Sequence, residues 1–131
     1  MADSHVVGVG VDVVEVSRVA RLLRHRRAAE RLFTAGEREA AGDGAMRLQR
    51  LAARFAAKEA VVKALGGVGA LGFHDIEVVR PPGQAAFVQL RGRAALRAES
   101  RGVVRVLVSM SHVRAYAVAH ATALAPCPCE S

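Results

Sequence analysis

The sequence predicts an α+β fold in which an antiparallel sheet packs on one long central helix, and three observations carry that prediction. Periodic segments follow the order strand, helices, hairpin, helix, hairpin, so neighbouring strands are joined by short turns rather than by crossover helices. One uninterrupted helical run extends from near Met46 to Gly66, long enough to span a sheet. The chain has 131 residues, enough for one domain with a real core and too few for two ordinary ones. A single domain over residues 1–125 is expected, followed by a flexible tail over 126–131.

The elements follow in order. From His5 to Val16 the chain alternates with period two, with Val7, Val9, Val11 and Val13 on one face and Gly8, Gly10 and Asp12 on the other. This is a strand whose second face is bare backbone leading to a carboxylate, so another element or a ligand can approach closely there. A helix packing over the glycines explains Gly8 and Gly10 but leaves Asp12 unexplained. Ser17 to Arg31 carries Val19, Leu22 and Leu23 at helical spacing with Ser17 as its N-cap. Arg18, Arg21, Arg24 and Arg27 repeat at every third position and form a basic ridge, either a solvated face or a surface for an acidic partner.

Thr34 followed three residues later by Glu37 is a capping box, so a short helix is expected there, ended by A-G-D-G. The long helix then runs to Gly66. G-G-V-G-A-L-G-F-H reads as a glycine-rich connection with a ligand-facing role open to it; no G-K-[ST] follows, so it is not a P-loop. Residues 75–79 and 86–90 are strands joined by R-P-P-G-Q into a hairpin, residues 92–101 form a helix closed by Gly102, and a second hairpin turns across S-H-V-R.

Composition narrows the function classes. The formal net charge of +7 calls for an acidic partner, whether nucleic acid, anionic lipid, a phosphorylated small molecule or an acidic protein. No Trp, one Tyr and four Phe are too few for a multi-base stacking platform. No apolar run approaches the roughly 18 residues of a membrane span, and the N-terminus lacks a basic leader, which points to the cytoplasm. The two cysteines, Cys127 and Cys129, sit one residue apart near the end and exclude a disulfide framework.

Within the long helix, Glu59 falls on the apolar stripe. At about 100° per residue, Leu48, Ala52, Phe55, Ala56, Val62 and Lys63 surround it, while Arg47, Arg50, Arg54 and Lys58 fall towards the other side. A buried carboxylate needs a cation or becomes neutral. Lys63, one turn on, and a metal ion are the two candidates. Of 19 basic residues only Lys58 and Lys63 are lysine, which suggests a need at these positions for a compact ammonium. If Asp12 meets Glu59, a Mg²⁺ ion would satisfy both carboxylates, and Lys58, Lys63 and Arg54 would supply charge for phosphate oxygens.

The motifs G-V-G-V-D-V-V-E, L-F-T-x-x-E, R-F-A-A-K-E-A-x-x-K-A-L-G, D-I-E-V and V-S-M-S-H-x-x-x-Y-A-x-A resemble, in order and spacing, the holo-acyl-carrier-protein synthase family of phosphopantetheinyl transferases. The resemblance runs from Val6 to Leu124. It implies a 4'-phosphopantetheinyl transferase-like fold, a homotrimer with active sites shared between neighbours, and transfer of the 4'-phosphopantetheine arm of coenzyme A to a serine of an apo acyl carrier protein. Adenosine 3',5'-bisphosphate would be released. By motif, Asp12 and Glu59 would be the Mg²⁺ ligands, Lys63 would contact the phosphates, Arg54 and His112 would belong to the coenzyme A site at its 3'-phosphate, and Arg18, with Arg21 and Arg24 on the same ridge, would meet the acidic carrier. Either Glu59 or a water on the ion would take the serine proton. Two features depart from the family pattern: G-Q-A stands near residue 83 where G-K-P is common, and Gly36 lies inside a short helix. A basic module binding nucleic acid or an acidic protein without catalysis accounts for the charge and the ridge, but not for Asp12, Glu59 and the lysine pair. A catalytically dead relative that binds a carrier is the third alternative.

Overall fold

The computed structural model describes residues 3–67 and 71–128. Elements run β1 (Ser4–Glu15), α1 (Val16–Leu22), α2 (Ala28–Leu32), α3 (Ala35–Ala41), α4 (Arg47–Ala64), a 3-10 turn (Phe73–Asp75), β2 (Ile76–Val79), β3 (Phe87–Leu90), α5 (Gly92–Ser100), β4 (Arg105–His112) and β5 (Tyr116–Pro126). The five strands form one antiparallel sheet in the order β1-β5-β4-β3-β2, with α4 lying across one face. The expected α+β architecture, both hairpins, the capped α3 and the long helix are all present.

Small residues set the distance between helix and sheet. Ala52, Ala53, Ala56, Ala57, Ala60 and Ala64 of α4 are buried, and across from them stand Ala117, Ala119, Ala121 and Ala123 of β5. With little side-chain volume between them, the backbones come close together. At Gly8 a Cβ would collide with the carbonyl oxygen of Ala64, and at Gly10 with that of Ala60. The bare face of β1 is therefore filled by a helix. The opposite face is uncovered: Val9, Val11 and Val13 are 59%, 55% and 61% exposed, with Val7, Tyr116 and Val118 beside them. That is a large apolar surface for a folded chain to present to water.

The structure corrects three local expectations. The segment from Ser17 to Arg31 is not one helix. α1 starts after Glu15, whose side chain makes no capping bond, and ends at Leu22; Arg27 then takes a left-handed conformation at φ 61° and opens α2. Arg24 consequently lies beyond α1, and the ridge is broken after Arg21. The outward placement of Arg54 and Lys58 also fails. The sheet covers one side of α4, while α1 and α3 cover others, so Arg54 is 7% exposed and Lys58 is fully buried. Finally, Gly36 is accounted for, because a Cβ there would press within 2.8 Å of Glu77 Oε2. Of the glycine-rich connection, Val68, Gly69 and Ala70 lie outside the described residues, as does Cys129. Cys127 is tied back to β1 by its N–H, which donates to the Asp3 carbonyl at 2.9 Å.

Candidate active site

Strand register brings the predicted residues to one end of the sheet. Asp12 pairs with Ala119, and Ala119 pairs with Met110; Val14 pairs with Ala117, and Ala117 pairs with His112. Paired residues in an antiparallel sheet share a face, and adjacent strands lie about 4.8 Å apart. Asp12 and His112 thus both stand on the helix-covered side, two rungs and two strand spacings apart. Gln49 of α4 reaches His112 and Lys63 of α4 reaches Asp12.

Because Gly10 carries no side chain, the stem of Lys63 can lie against β1: a Cβ on Gly10 would come within 2.9 Å of Lys63 Cβ. Lys63 Nζ donates to the Val11 carbonyl at 2.9 Å and to Asp12 Oδ1 at 3.2 Å. The Lys63 side chain is about half exposed and that of Asp12 is mostly covered. Lys63 therefore pairs with Asp12 rather than with Glu59, its neighbour one turn back. Glu59 is half-buried, and among the described residues none donates a hydrogen bond to its carboxylate. Burial pushes its pKa up, the Asp12 charge pushes it further, and Arg18 and Lys63 pull it partly back. These four side chains form one electrostatic cluster. Arg18 itself stacks over Phe55, 5.6 Å from the ring centroid.

Two carboxylates whose charges repel, one without a hydrogen-bond donor, fit a small divalent cation, which takes one or two carboxylates and completes its shell with water and phosphate oxygens. Asp12 and Glu59 are the residues that would hold it.

Lys58 is not part of this cluster. Its Nζ lies 2.5 Å from Glu37 Oε1 with both side chains fully buried. It also donates to the carbonyls of Leu32 and Phe73 at 2.9 and 2.8 Å. An ammonium has three donors, and all three are used. Glu37 accepts in turn from Thr34 N–H at 2.9 Å and Val78 N–H at 2.8 Å. Burial pushes the Lys58 pKa down while Glu37 draws it back up. The expectation that Lys58 serves phosphate oxygens is thus corrected: it is the partner of a buried glutamate, and that glutamate is Glu37. The capping box disclosed one oxygen of Glu37; nothing local in the sequence signals the other.

Arg54 and His112 do come together. They line a cavity of about 230 Å³ with Arg50, Arg80, Ala40, Ala53 and Met110. His112 Nδ1 is 2.9 Å from Gln49 Oε1, a contact that orients the ring. The Arg54 Nε is buried without a hydrogen-bond partner, and burial, with Arg80 and Arg50 nearby, lowers its pKa against the pull of Glu37. Three guanidiniums and an imidazole around one small cavity suit a dianion such as a phosphate monoester. Arg50 and Arg80 were not singled out by the sequence. Arg50, one turn before Arg54, was recoverable from helical spacing, whereas Arg80 enters from the β2–β3 turn and had no local signal. On the ridge, Arg18 and Arg21 share α1, and Arg18, Arg21 and Arg24 are all exposed.

Comparison with known proteins gives a consistent picture. Residues 8–121 match the profile of the 4'-phosphopantetheinyl transferase superfamily. A holo-acyl-carrier-protein synthase of Beutenbergia cavernae is 46% identical over 119 residues, covering 90% of this chain and 97% of that protein. Among solved structures, a holo-ACP synthase of Plasmodium yoelii superposes with a TM-score of 0.82 at 26% identity, covering 95% of this chain and 99% of that one. A holo-acyl-carrier-protein synthase of Bacillus anthracis, solved in complex with coenzyme A (3',5'-ADP), gives 0.74 at 31% identity, covering 92% and 97%.

Proposed function

The chain belongs to the 4'-phosphopantetheinyl transferase superfamily and is an enzyme of the holo-acyl-carrier-protein synthase type, and from that premise we propose that it moves the 4'-phosphopantetheine arm of coenzyme A onto a serine of an apo acyl carrier protein, with Mg²⁺ held by Asp12 and Glu59. The observation that carries this reading is the convergence, at one end of the sheet, of a carboxylate pair and an arginine-lined cavity. Coenzyme A has a pyrophosphate that a cation on the first would meet and a 3'-phosphate that matches the second.

In this reading Arg54 and His112, joined by Arg50 and Arg80, grip the 3'-phosphate and so fix the nucleotide end of the substrate. A Mg²⁺ ion held by Asp12 and Glu59 would supply charge to neutralise the pyrophosphate. The serine oxygen attacks the phosphorus bearing the pantetheine arm, the bond to the bridging pyrophosphate oxygen breaks, and adenosine 3',5'-bisphosphate leaves. The serine proton would pass to Glu59 or to a water held by the ion. Lys63 neutralises charge on the leaving phosphate. Arg18 and Arg21 of α1, with Arg24 beyond it, face the acidic carrier. The uncovered valine face supports a homotrimer, since burying it is favourable by about 25 cal/mol per Å². Among the described residues no helix is long and apolar enough to cross a membrane, and we place the reaction in the cytoplasm without a nucleic-acid partner.

Intact-mass spectrometry of an apo carrier protein incubated with this protein, coenzyme A and Mg²⁺ tests the reading. The expected result is a gain of one phosphopantetheine, lost with Asp12→Ala, with Glu59→Ala and without metal. A carrier left unmodified, together with no binding of coenzyme A, would contradict it.

A further inference from the structure

Lys63 occupies a position that the proposed function does not require of it. A lysine that only served substrate phosphates would be expected to extend into solvent or towards the arginine-lined cavity. Instead its Nζ is turned onto β1, held by the Val11 carbonyl at 2.9 Å and by Asp12 Oδ1 at 3.2 Å. Its stem follows β1 because Gly10 leaves room for it. Its side chain remains 52% exposed, so the neighbouring residues do not enclose it. Four charged groups meet here: Asp12 from β1, Glu59 and Lys63 from α4, and Arg18 from α1. Arg18 is spoken for by its stacking on Phe55. Lys63 is the cation seated on the carboxylate that a metal ion would need.

We propose that Lys63 is a place-holding counter-ion which a divalent cation must displace from Asp12, so that cation binding and the release of the Lys63 ammonium towards substrate phosphates are one coupled event. The inference rests on the assignment of Asp12 and Glu59 as the cation ligands. A cation on Asp12 and an ammonium on the same carboxylate repel each other at close range. One must give way, and the flexible, half-exposed lysine is the group able to move. The displaced head stays anchored by its stem along Gly10, within one side-chain length of the carboxylates. Charge is thus kept on Asp12 until the ion arrives, and the freed ammonium is left beside the place where the pyrophosphate would bind.

The test is the affinity for Mn²⁺ in the absence of coenzyme A, measured on the full chain by electron paramagnetic resonance for wild type, Lys63→Met, Lys63→Arg, Asp12→Asn and the double variant Asp12→Asn/Lys63→Met, with circular dichroism to check each fold. Removing the competing charge is expected to tighten Mn²⁺ binding at least about threefold in Lys63→Met. Lys63→Arg should bind with wild-type affinity or more weakly. In an Asp12→Asn background the Lys63→Met effect should vanish, because the double-mutant cycle removes the group both cations compete for. Binding to wild type with equal or weaker affinity in Lys63→Met overturns the inference and leaves the ligand assignment standing. No binding to wild type or to Lys63→Met overturns both.

Discussion

At the residue scale, Glu59 and Lys58 exchange the roles that their positions in the sequence suggest. Glu59, read as buried, is half-exposed and carries a raised pKa; Lys58, read as facing a ligand, is sealed against Glu37. The two therefore respond oppositely to substitution. Glu59→Gln should lower turnover at least about a hundredfold while raising the melting temperature of the EDTA-treated protein by about 1–3 °C at neutral pH. The sign follows from linkage. The folded state binds the Glu59 proton more tightly than the unfolded chain does, so wild-type stability falls as pH rises from the ordinary value of 4.5 through the raised one. Melting curves of both proteins across that range check it, and a variant less stable than wild type above it would show that Glu59 is a structural partner instead. Lys58→Met should cost about 3 to 5 kcal/mol in urea unfolding, because it strands a buried carboxylate, and adding Glu37→Gln should restore much of that loss.

At the element scale, the glycines of β1 and the alanines of α4 act together. Gly10→Ala would force the Ala60 carbonyl and the Lys63 stem away from β1, an overpacking that costs about 1 to 3 kcal/mol. Since the same contact holds Lys63 beside Asp12, turnover should fall more than stability does, which steady-state kinetics on the folded variant would reveal. The link between α3 and β2 depends on pH. Thr34 Oγ1 donates to Glu77 Oε2 at 2.6 Å, and Arg91 donates to Glu77 Oε1 at 3.0 Å. The Thr34 bond, then Arg91, holds the Glu77 carboxyl below its ordinary pKa of 4.5. The stability advantage of wild type over Glu77→Gln should be complete above that value and vanish as pH falls through the lowered one, as urea titrations would show. Most elements were legible in the sequence, because period-two runs, the Thr34 capping box and Gly102 are local signals. The break after Leu22 was not: Arg27 adopts a left-handed conformation that no glycine marks, and helical periodicity continues across it. Likewise Asp12 and Glu59 stood out by their strand and helix positions, and Arg54 and His112 by the resemblance to the family motifs, whereas Arg80 and the second oxygen of Glu37 depend on contacts far apart in the chain.

At the scale of the whole molecule, one face of the sheet is closed by α4 and the other is apolar and open. A charged residue at its centre should leave the fold intact and prevent assembly. In size-exclusion chromatography with light scattering, wild type is expected to elute as a trimer and Val11→Asp as a monomer; a monomeric wild type would remove the homotrimer from the account. The open face and the candidate active site lie on opposite sides of β1, with Val11 and Asp12 as consecutive residues, so the proposed assembly and the proposed catalysis share one strand. The most direct test of the central claim is a crystal structure with coenzyme A and Mn²⁺, with the metal located by anomalous scattering. The account predicts Mn²⁺ bound by Asp12 and Glu59 and the 3'-phosphate among Arg50, Arg54, Arg80 and His112. A metal bound elsewhere, or a 3'-phosphate outside that cavity, would contradict it.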